Sequence, residues 1–418
     1  MLATEKGASG SEISPVLGTM YPGLFLASFL VPSLVSRSTP SSSSSSRFGL
    51  HRVFLAGILV ASAAAVLFGL LEYVTHLRLF LALAYLVRFL EGVSMSVLWS
   101  TVLALLLAGH PARPAAVYAL LDTTFGLGLS LGPVVGSLLF AFAGFLLPFL
   151  ACGGAILATG LLSLRLVRPL AAAAEKQISS EQPSARPLLS SPPLLAALLA
   201  TATVAFSAYG YMMSLLELHL STLHLSPATI GLCFLAFSAT YTVTTILCGL
   251  TSDSLLSPWT VCLAGLTSLL LSFLALGPVP YLPAPSTLPL KVLGLVLQGV
   301  GTGCVLVASY SCALAAALEL GTFPRDVSTY SLVSSLWTAA YALGSFLGTS
   351  VAGALYDTLG WAWGCALVQV LVAATAGCTV VAACRSRSGE ESKPLLQSAG
   401  REEGYTEVTG ETGQPPPT

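Results

Sequence analysis

Long apolar stretches, separated by short polar segments, follow one another along most of the chain. Each is about 20 residues or longer, the length that an α-helix needs to cross the hydrocarbon of a bilayer. Their apolar residues are continuous rather than alternating, which argues against membrane-spanning strands. The pattern predicts an all-α membrane protein with eleven spans, at residues 13–36, 53–74, 79–108, 115–142, 145–167, 193–220, 228–250, 258–278, 289–318, 327–355 and 361–384.

The composition supports this class and excludes several others. Hydrophobic residues make up 55% of the 418 residues and charged residues only 8%, whereas a soluble domain carries about a quarter charged residues. The net charge of −1 gives no sign of nucleic-acid binding. The nine cysteines lie in apolar stretches without metal-ligand spacing, and no phosphate loop or nucleophile–base pattern is present. We therefore predict a protein without metal or cofactor that is not an enzyme.

The basic residues are distributed unequally between the two sides of the membrane. Of the 17 Lys and Arg residues, all except Lys6, Arg78, Lys291 and Arg88 fall on one side, in loops or, for Arg165, at the end of a span. Lys and Arg accumulate on the cytosolic side of membrane proteins. We therefore predict a cytosolic, disordered tail at residues 385–418 and a lumenal or external N-terminus at residues 1–12.

The chain contains an internal repeat at a shift of 216 residues. "LGLSLGPVVGSLLFAFAGF", which starts at Leu127, has seven identities in nineteen positions with "LGSFLGTSVAGALYDTLGW", which starts at Leu343. The repeat predicts an N-terminal bundle of five spans at 13–167, a cytosolic linker at 168–192 and a C-terminal bundle of six spans at 193–384. The counterpart of span 193–220 would lie before Met1, so we expect the first helix of a twelve-helix plan to be missing.

Three short motifs connect the two halves to a known class of carriers. "LGLSLGPVVG" resembles the antiporter motif GxxxGPxxGG, "YLVRFLEGVS" resembles RxxxG, and "GLTSD", from Gly249 to Asp253, resembles a GxxxD gating turn. Together they resemble the major facilitator superfamily and its fold of two helical bundles. The stretches "LVRFLEGVSMS", "FGLGLSLGPVVGS" and "SLWTAAYALGSFLG" are similar to the vesicular amine transporters of solute carrier family 18, closest to the vesicular polyamine branch.

The antiporter-motif segment carries small residues at regular spacing. Gly128, Gly132 and Gly136 recur every four residues and so share one face of a helix, where a neighbouring helix can approach closely. Pro133 removes a backbone hydrogen bond and favours a bend. Two explanations fit this pattern: ordinary tight packing of helices, and a functional bend at the interface between the halves. The resemblance favours the bend, which would resist leakage during exchange.

Four ionisable residues lie within or close to the predicted spans. Asp122 is an acid in an apolar run, where an unpaired charge costs roughly 2.5–3.5 kcal/mol, so it should face the bundle or a wet cavity. Arg88 would pair with Glu91, three residues along the same helical face, or with Asp122. Glu217 lies near the outer end of its span and is either a transport residue or a solvated rim residue. We predict that these four residues carry transport and proton coupling.

Polar aromatic residues of the C-terminal half provide faces for a cation. The residues nearest the middle of their spans are Tyr241, Tyr310, Trp337 and Tyr341, and an ammonium group is attracted to such rings. In the tail, Glu391, Leu395 and Leu396 match an acidic dileucine sorting signal, and "YTEV" from Tyr405 matches a tyrosine signal. The tail thus predicts a vesicular or endolysosomal membrane and binding of a clathrin adaptor.

The family resemblance implies a proton-coupled antiporter. It would move organic cations, in particular polyamines such as spermine and spermidine, from the cytosol into acidic vesicles by alternating access. Its partners would be the amine, protons and membrane lipid. Two alternatives stay open: a multidrug or other organic-solute carrier of the same fold, and a non-transporting binding or regulatory protein, which the missing first helix would favour.

Overall fold

The computed structural model of the protein describes residues 16, 18–32, 49–175, 185–223, 225, 227–251, 257–277, 287–321 and 323–408. At residues 174, 175, 185, 227 and 228, and beyond residue 385, it describes the backbone alone. These ranges are helical and contain no strand. The helices are α1 (Met20–Ser28), α2 (Leu50–Leu70), α3 (Leu77–Gly109), α4 (Pro114–Ala143), α5 (Leu146–Glu175), α6 (Ala185–Leu189), α7 (Pro192–Ser221), α8 (Pro227–Thr251), α9 (Pro258–Leu276), α10 (Leu288–Glu319) and α11 (Val327–Val408).

The predicted all-helical membrane class agrees with these helices. Nine helices of the described ranges are long and apolar enough to cross a membrane, and a shorter apolar helix runs through Met20–Pro32. The predicted spans 327–355 and 361–384 fall in one long helix, α11, that is interrupted at Gly360. Within the predicted linker 168–192, α5 continues to Glu175 and α6 adds one short turn, while 176–184 lie outside the described residues.

Prolines and glycines set the ends of several helices. Proline stands in the first turn of α4, α7, α9 and α10, where its missing N–H group needs no partner. Gly144 ends α4 with a φ of 75°, and Gly360 interrupts α11 with a φ of 76°. A positive φ strains residues that carry a Cβ atom. Gly144 and Gly360 are 216 residues apart, so the repeat seen in the sequence also relates these two breaks.

The helices pack as two groups that meet along two seams. On one side α1 packs on α3, and α2 packs on α3 and α5; on the other side α7, α8, α9, α10 and α11 pack on one another. Helix α4 lies against both α5 and α8, and α11 lies against both α1 and α3. The polar and aromatic residues that face these two seams therefore lie between the halves.

The repeat has tight glycine contacts in the second half but not in the first. A Cβ atom at Gly344 would lie 2.1 Å from the carbonyl oxygen of Ala202, and one at Gly348 would lie 2.6 Å from that of Phe206. The equivalent Gly128 and Gly132, and also Gly136, have no atom of the described residues within 4 Å of that position. Helix α4 passes through Pro133 without interruption.

We expect Gly344→Ala to lower the melting temperature and Gly128→Ala to leave it nearly unchanged. The first change forces the backbones of α7 and α11 apart, an overpacking that costs about 1–3 kcal/mol. The second adds a methyl group in open space and favours the helix by up to about 1 kcal/mol. Thermal unfolding of the two purified variants, followed by intrinsic fluorescence, compares equivalent positions of the repeat; equal melting temperatures would contradict this packing.

Candidate functional site

Asp122 is a buried acid at the seam between α4 and α8. Its side chain is 3% exposed, and Thr245 of α8 donates a hydrogen bond from Oγ1 to Asp122 Oδ2 at 3.3 Å. The hydroxyl groups of Tyr118 and Tyr241 approach the carboxylate closely enough to interact with it, but without hydrogen-bond geometry. No Lys or Arg side chain of the described ranges lies within 4 Å of it. The carboxylate is therefore buried without a cation beside it.

A small cavity of about 30 Å³ lies beside this carboxylate, between the two halves. A neighbouring cavity of about 210 Å³ shares five of its lining residues and extends to Met20 and Tyr21 of α1. Helices of both halves contribute to the wall, so relative movement of the halves changes its shape. The lining residues of the first cavity are Leu24, Met95, Trp99, Asp122, Phe125, Tyr209, Leu306, Trp337, Thr338 and Tyr341.

Aromatic rings form most of the large surfaces around the acid. Trp337 stacks on Tyr341 with ring centroids 5.8 Å apart and meets Tyr118 edge-on at 5.2 Å. Tyr209 lies 5.3 Å from Tyr341, and its hydroxyl is buried without a hydrogen-bond partner among the described residues. The indole Nε1 of Trp337 donates to Ser309 Oγ at 3.2 Å, which fixes the ring. A carboxylate surrounded by aromatic faces suits a cation.

Of the four aromatic residues predicted to line the site, Trp337 and Tyr341 lie on the cavity wall. Tyr310 is fully buried behind it, where it stacks on Tyr118 at 5.0 Å and its hydroxyl meets Ser334 Oγ at 3.0 Å. Tyr241 packs parallel to Phe237 on α8 and turns its hydroxyl towards Asp122. These two residues support the wall rather than form it.

Three aromatic residues of the wall were not singled out as lining residues from the sequence. Trp99 and Phe125 belong to α3 and α4, and Tyr209 belongs to α7. Phe125 follows Asp122 by three residues, which places both on one helical face. Tyr209 lies in a π-helical segment, Ala205–Met212, within α7; such segments occur frequently at functional sites. The helical face of Asp122 was therefore the signal that could have revealed Phe125.

Arg88 and Glu91 form an ion pair away from the cavity. Arg88 Nη1 lies 2.9 Å from Glu91 Oε2, and the Arg88 guanidinium lies 4.4 Å above the Phe68 ring. The sequence left open whether Arg88 pairs with Glu91 or with Asp122, and in the structure it pairs with Glu91. Glu217 is exposed on the last turn of α7. Neither these residues nor Glu217 line the cavity with Asp122.

The remaining predicted positions lie near the seam or outside the described residues. Gly249 of α8 faces α4, where a Cβ atom would lie 2.3 Å from that of Ala119. Gly126, one turn after Asp122, is close to Thr242 at the same seam. Asp253 lies outside the described residues, as do the side chains of the tail signals Glu391, Leu395, Leu396 and Tyr405.

We expect removal of one partner of the Arg88–Glu91 pair to destabilise the protein more than removal of both. Arg88→Leu leaves Glu91 uncompensated in an apolar region, which is costly, whereas the double variant with Glu91→Leu leaves no charge. Melting temperatures of the two single variants and the double variant test this as a cycle. A double variant that is destabilised by the sum of the single effects would show that the pair contributes no coupling.

Comparison with known proteins identifies the class to which this fold and site belong. A profile of the Major Facilitator Superfamily matches residues 1–323 and 213–413. The crystal structure of the human organic anion transporter MFSD10 (TETRAN) aligns with a TM-score of 0.64 over 90% of this chain and 87% of that chain. Its sequence is 17% identical, so this likeness concerns the fold alone. The chain belongs to the Major Facilitator Superfamily and is a multi-pass membrane protein.

Within the superfamily, the resemblance to solute carrier family 18 is confirmed. The human MFS-type transporter SLC18B1 is 30% identical over 368 residues, which cover 87% of this chain and 76% of that protein. The synaptic vesicular amine transporter of Rattus norvegicus is 23% identical over 248 residues, which cover 59% of this chain and 45% of that protein. These relatives are transporters rather than enzymes.

Proposed function

We propose that this chain is a proton-coupled antiporter of organic cations. One observation carries the proposal: the buried Asp122 carboxylate lies without a Lys or Arg partner of the described ranges on an aromatic cavity wall shared by both halves. An isolated charge at this depth costs roughly 2.5–3.5 kcal/mol. A proton or an ammonium group neutralises it, and the two compete for the same oxygens.

Competition between the proton and the ammonium group for Asp122 couples proton transport to cation transport. On the less acidic side, Asp122 loses its proton and binds the ammonium group, while Thr245 holds one carboxylate oxygen. The faces of Trp337 and Tyr341 stabilise the cation as it leaves water. On the acidic side the carboxylate takes a proton, and the cation loses its counter-charge and leaves. The cavity wall includes α4 of the first half and α7 and α11 of the second half. Movement of the halves therefore exposes this site to each side of the membrane in turn.

We further propose polyamines as substrates. This rests on the resemblance of the sequence to the polyamine branch, and the site adds one constraint. Asp122 is the only acid that lines the cavity among the described residues, so it neutralises one ammonium group of a polyamine at a time. The remaining groups meet hydroxyls, ring faces or water. The site therefore also suits a monoamine, and a substrate panel decides between the two.

We place the carrier in an acidic vesicle or endolysosomal membrane with a cytosolic C-terminus. The excess of Lys and Arg on one side supports the orientation. The dileucine and tyrosine signals of the tail support binding of a clathrin adaptor. Replacing Leu395 and Leu396 by alanine should move the protein to the cell surface, as measured by surface biotinylation; an unchanged distribution would contradict this use of the tail.

Uptake into proteoliposomes tests the function. Vesicles with an acidic interior should accumulate labelled spermidine, and a protonophore should abolish the accumulation; protein-free vesicles correct for passive trapping of the amine. A quaternary ammonium compound, which cannot cross the bilayer uncharged, gives a second readout. Uptake of a monoamine but not spermidine would remove polyamines as the substrate. Uptake of organic anions only, or of nothing, would favour an organic-solute carrier or a non-transporting protein.

A further inference from the structure

Two cysteines of the second half lie side by side between α8 and α10. The Sγ atoms of Cys248 and Cys304 are 3.4 Å apart. Both are free thiols; Cys248 is buried, whereas Cys304 is partly exposed. The proposed transport mechanism uses neither of them. Adjacent thiols are a redox-active arrangement, because a sulfenic acid formed at one sulfur condenses with the other to a disulfide.

The backbones of α8 and α10 approach each other closely where the pair lies. A Cβ atom at Gly299 would lie 2.6 Å from the carbonyl oxygen of Phe237. One at Gly303, which directly precedes Cys304, would lie 3.1 Å from the carbonyl oxygen of Tyr241. A disulfide needs Cα atoms within about 7 Å and side chains that point towards each other. The glycine contacts keep the two helices at close range, and the sulfur contact shows that the side chains face each other.

Cys233 shows that burial within α8 does not by itself create such a pair. It belongs to the same helix as Cys248 and is only 2% exposed, but no sulfur atom of another described cysteine contacts it. A buried free cysteine usually serves as a small apolar packing residue. The contact across two helices distinguishes Cys248 and Cys304 from that role, and Cys233 provides a matched control.

The pair lies beside the part of α8 that meets α4. Thr245, three residues before Cys248, donates the hydrogen bond to Asp122. Gly249, the residue after Cys248, packs on α4, where its Cβ atom would lie 2.3 Å from that of Ala119. Helix α8 is therefore held between α4 of the first half and α10 of the second. A covalent bond to α10 would restrain α8 at the level of its contact with Asp122.

We propose that Cys248 and Cys304 are a reversible redox site, at which an organic hydroperoxide of the bilayer converts the two thiols to a disulfide that ties α8 to α10. One thiol attacks the peroxide, the O–O bond breaks, an alcohol leaves, and the sulfur becomes a sulfenic acid. The second thiol displaces water from this sulfur, and the S–S bond forms. In sum, two thiols and one hydroperoxide give one disulfide, one alcohol and one water. The thiols lose two electrons, which the peroxide gains.

Reduction from the cytosolic side reverses the bond. In the proposed orientation α8 ends in the cytosol at Thr251, three residues after Cys248, or about 4.5 Å along the helix. A cytosolic thiol such as glutathione attacks one sulfur and forms a mixed disulfide, and a second glutathione releases it. Two glutathione thiols become glutathione disulfide, and both cysteines return to thiols. The site therefore responds to the balance between oxidised lipid and cytosolic thiol.

Peptide mapping tests the site without any transport. Protein in nanodiscs is treated with tert-butyl hydroperoxide, the remaining thiols are blocked with N-ethylmaleimide, and the digest is analysed by mass spectrometry. We expect a peptide pair joined through Cys248 and Cys304, two hydrogens lighter than its parts and cleaved by dithiothreitol. Its yield should exceed that of any cross-link to Cys233 by about tenfold or more, because only adjacent thiols condense efficiently. Equal yields would overturn the proposal.

A single substitution separates the two steps of the oxidation. In Cys248→Ala the cross-link should disappear, and Cys304 should instead be oxidised further to the sulfinic acid, because no second thiol intercepts the sulfenic acid. The wild type under the same treatment should carry little sulfinic acid at this position. Sulfinic acid at Cys304 to the same extent in both proteins would show that Cys248 does not act as its partner.

Uptake measurements test the restraint on α8, a consequence that rests on the proposed function. The hydroperoxide should slow amine uptake by the wild type severalfold, dithiothreitol should restore it, and Cys248→Ala should be insensitive to both. A cross-link with unchanged uptake would overturn the restraint. A cross-link in a protein that transports no amine even when reduced would retain the redox site and remove the proposed function.

Discussion

Asp122→Asn is expected to abolish proton-driven uptake and to weaken binding of organic cations by about a hundredfold. Removing one member of a desolvated charge pair costs roughly 2–5 kcal/mol. The amide keeps the size of the side chain and can still accept from Thr245 at its carbonyl oxygen. The loss therefore reports the charge rather than the packing. Binding of a labelled amine to the purified variant and uptake into proteoliposomes measure the two effects.

Two further variants make this result specific. Asp357→Asn removes an exposed acid of α11 that does not line the cavity and should leave uptake within about twofold of the wild type. Asp122→Glu retains the charge and should keep part of the binding. If Asp122→Asn bound and transported the amine normally, the acid would have no part in substrate binding or coupling.

Trp337→Leu should weaken cation binding by about thirtyfold, while Trp337→Phe should retain most of the affinity. A cation over a desolvated aromatic face gains about 2 kcal/mol, and leucine offers no such face. The Trp337 ring is well placed for this contact because it lies on the cavity wall and is held by Ser309. Binding affinity for a quaternary ammonium ligand, which interacts mainly through such faces, is the appropriate measurement.

The packing role of Trp337 must be separated from its role in binding. Trp337→Leu also removes volume beside Tyr118 and Tyr341, so the melting temperature should fall. Tyr310→Phe, which changes a supporting aromatic residue behind the wall, should affect stability through the lost Ser334 contact and leave affinity unchanged. Equal affinity losses in Trp337→Leu and Trp337→Phe would contradict an aromatic contact.

Asp122 could be predicted from the sequence because an acid within an apolar run leaves few physical options. It must face a partner or a wet cavity, and the structure has it on a cavity wall at the seam between α4 and α8. The repeat was also visible, since glycines equivalent at a shift of 216 residues adopt the same positive φ at 144 and 360. In both cases one residue type has few physical options: a buried acid needs a partner or water, and a positive φ favours glycine.

The aromatic wall could not be derived in the same way. Aromatic residues pack equally well on lipid, in a core or on a cavity, and the difference depends on helix rotation and depth. Tyr310 and Trp337 have similar positions in their spans, yet one lies behind the wall and the other forms it. Tyr209 depends on a π-helical segment, which changes the side-chain register and leaves no clear sequence signal.

Arg88 shows a limit of a different kind. The spacing from Arg88 to Glu91 permits a local pair, but whether a long side chain pairs locally or reaches another helix depends on tertiary packing. In the structure the guanidinium turns to Glu91 and to Phe68 of α2. The sequence therefore predicted correctly that an acid compensates the charge of Arg88, but it did not determine which acid.

Release of protons on amine binding is the most direct test of competition at Asp122. Weakly buffered, purified protein at a pH where the acid is partly protonated should release protons when spermidine or a quaternary amine is added, as recorded with a pH indicator. Binding should strengthen as the pH rises and Asp122 loses its proton. The Asp122→Asn variant should release none. Binding without proton release in the wild type across the accessible pH range, or equal release in the variant, would contradict competition between proton and cation at this carboxylate.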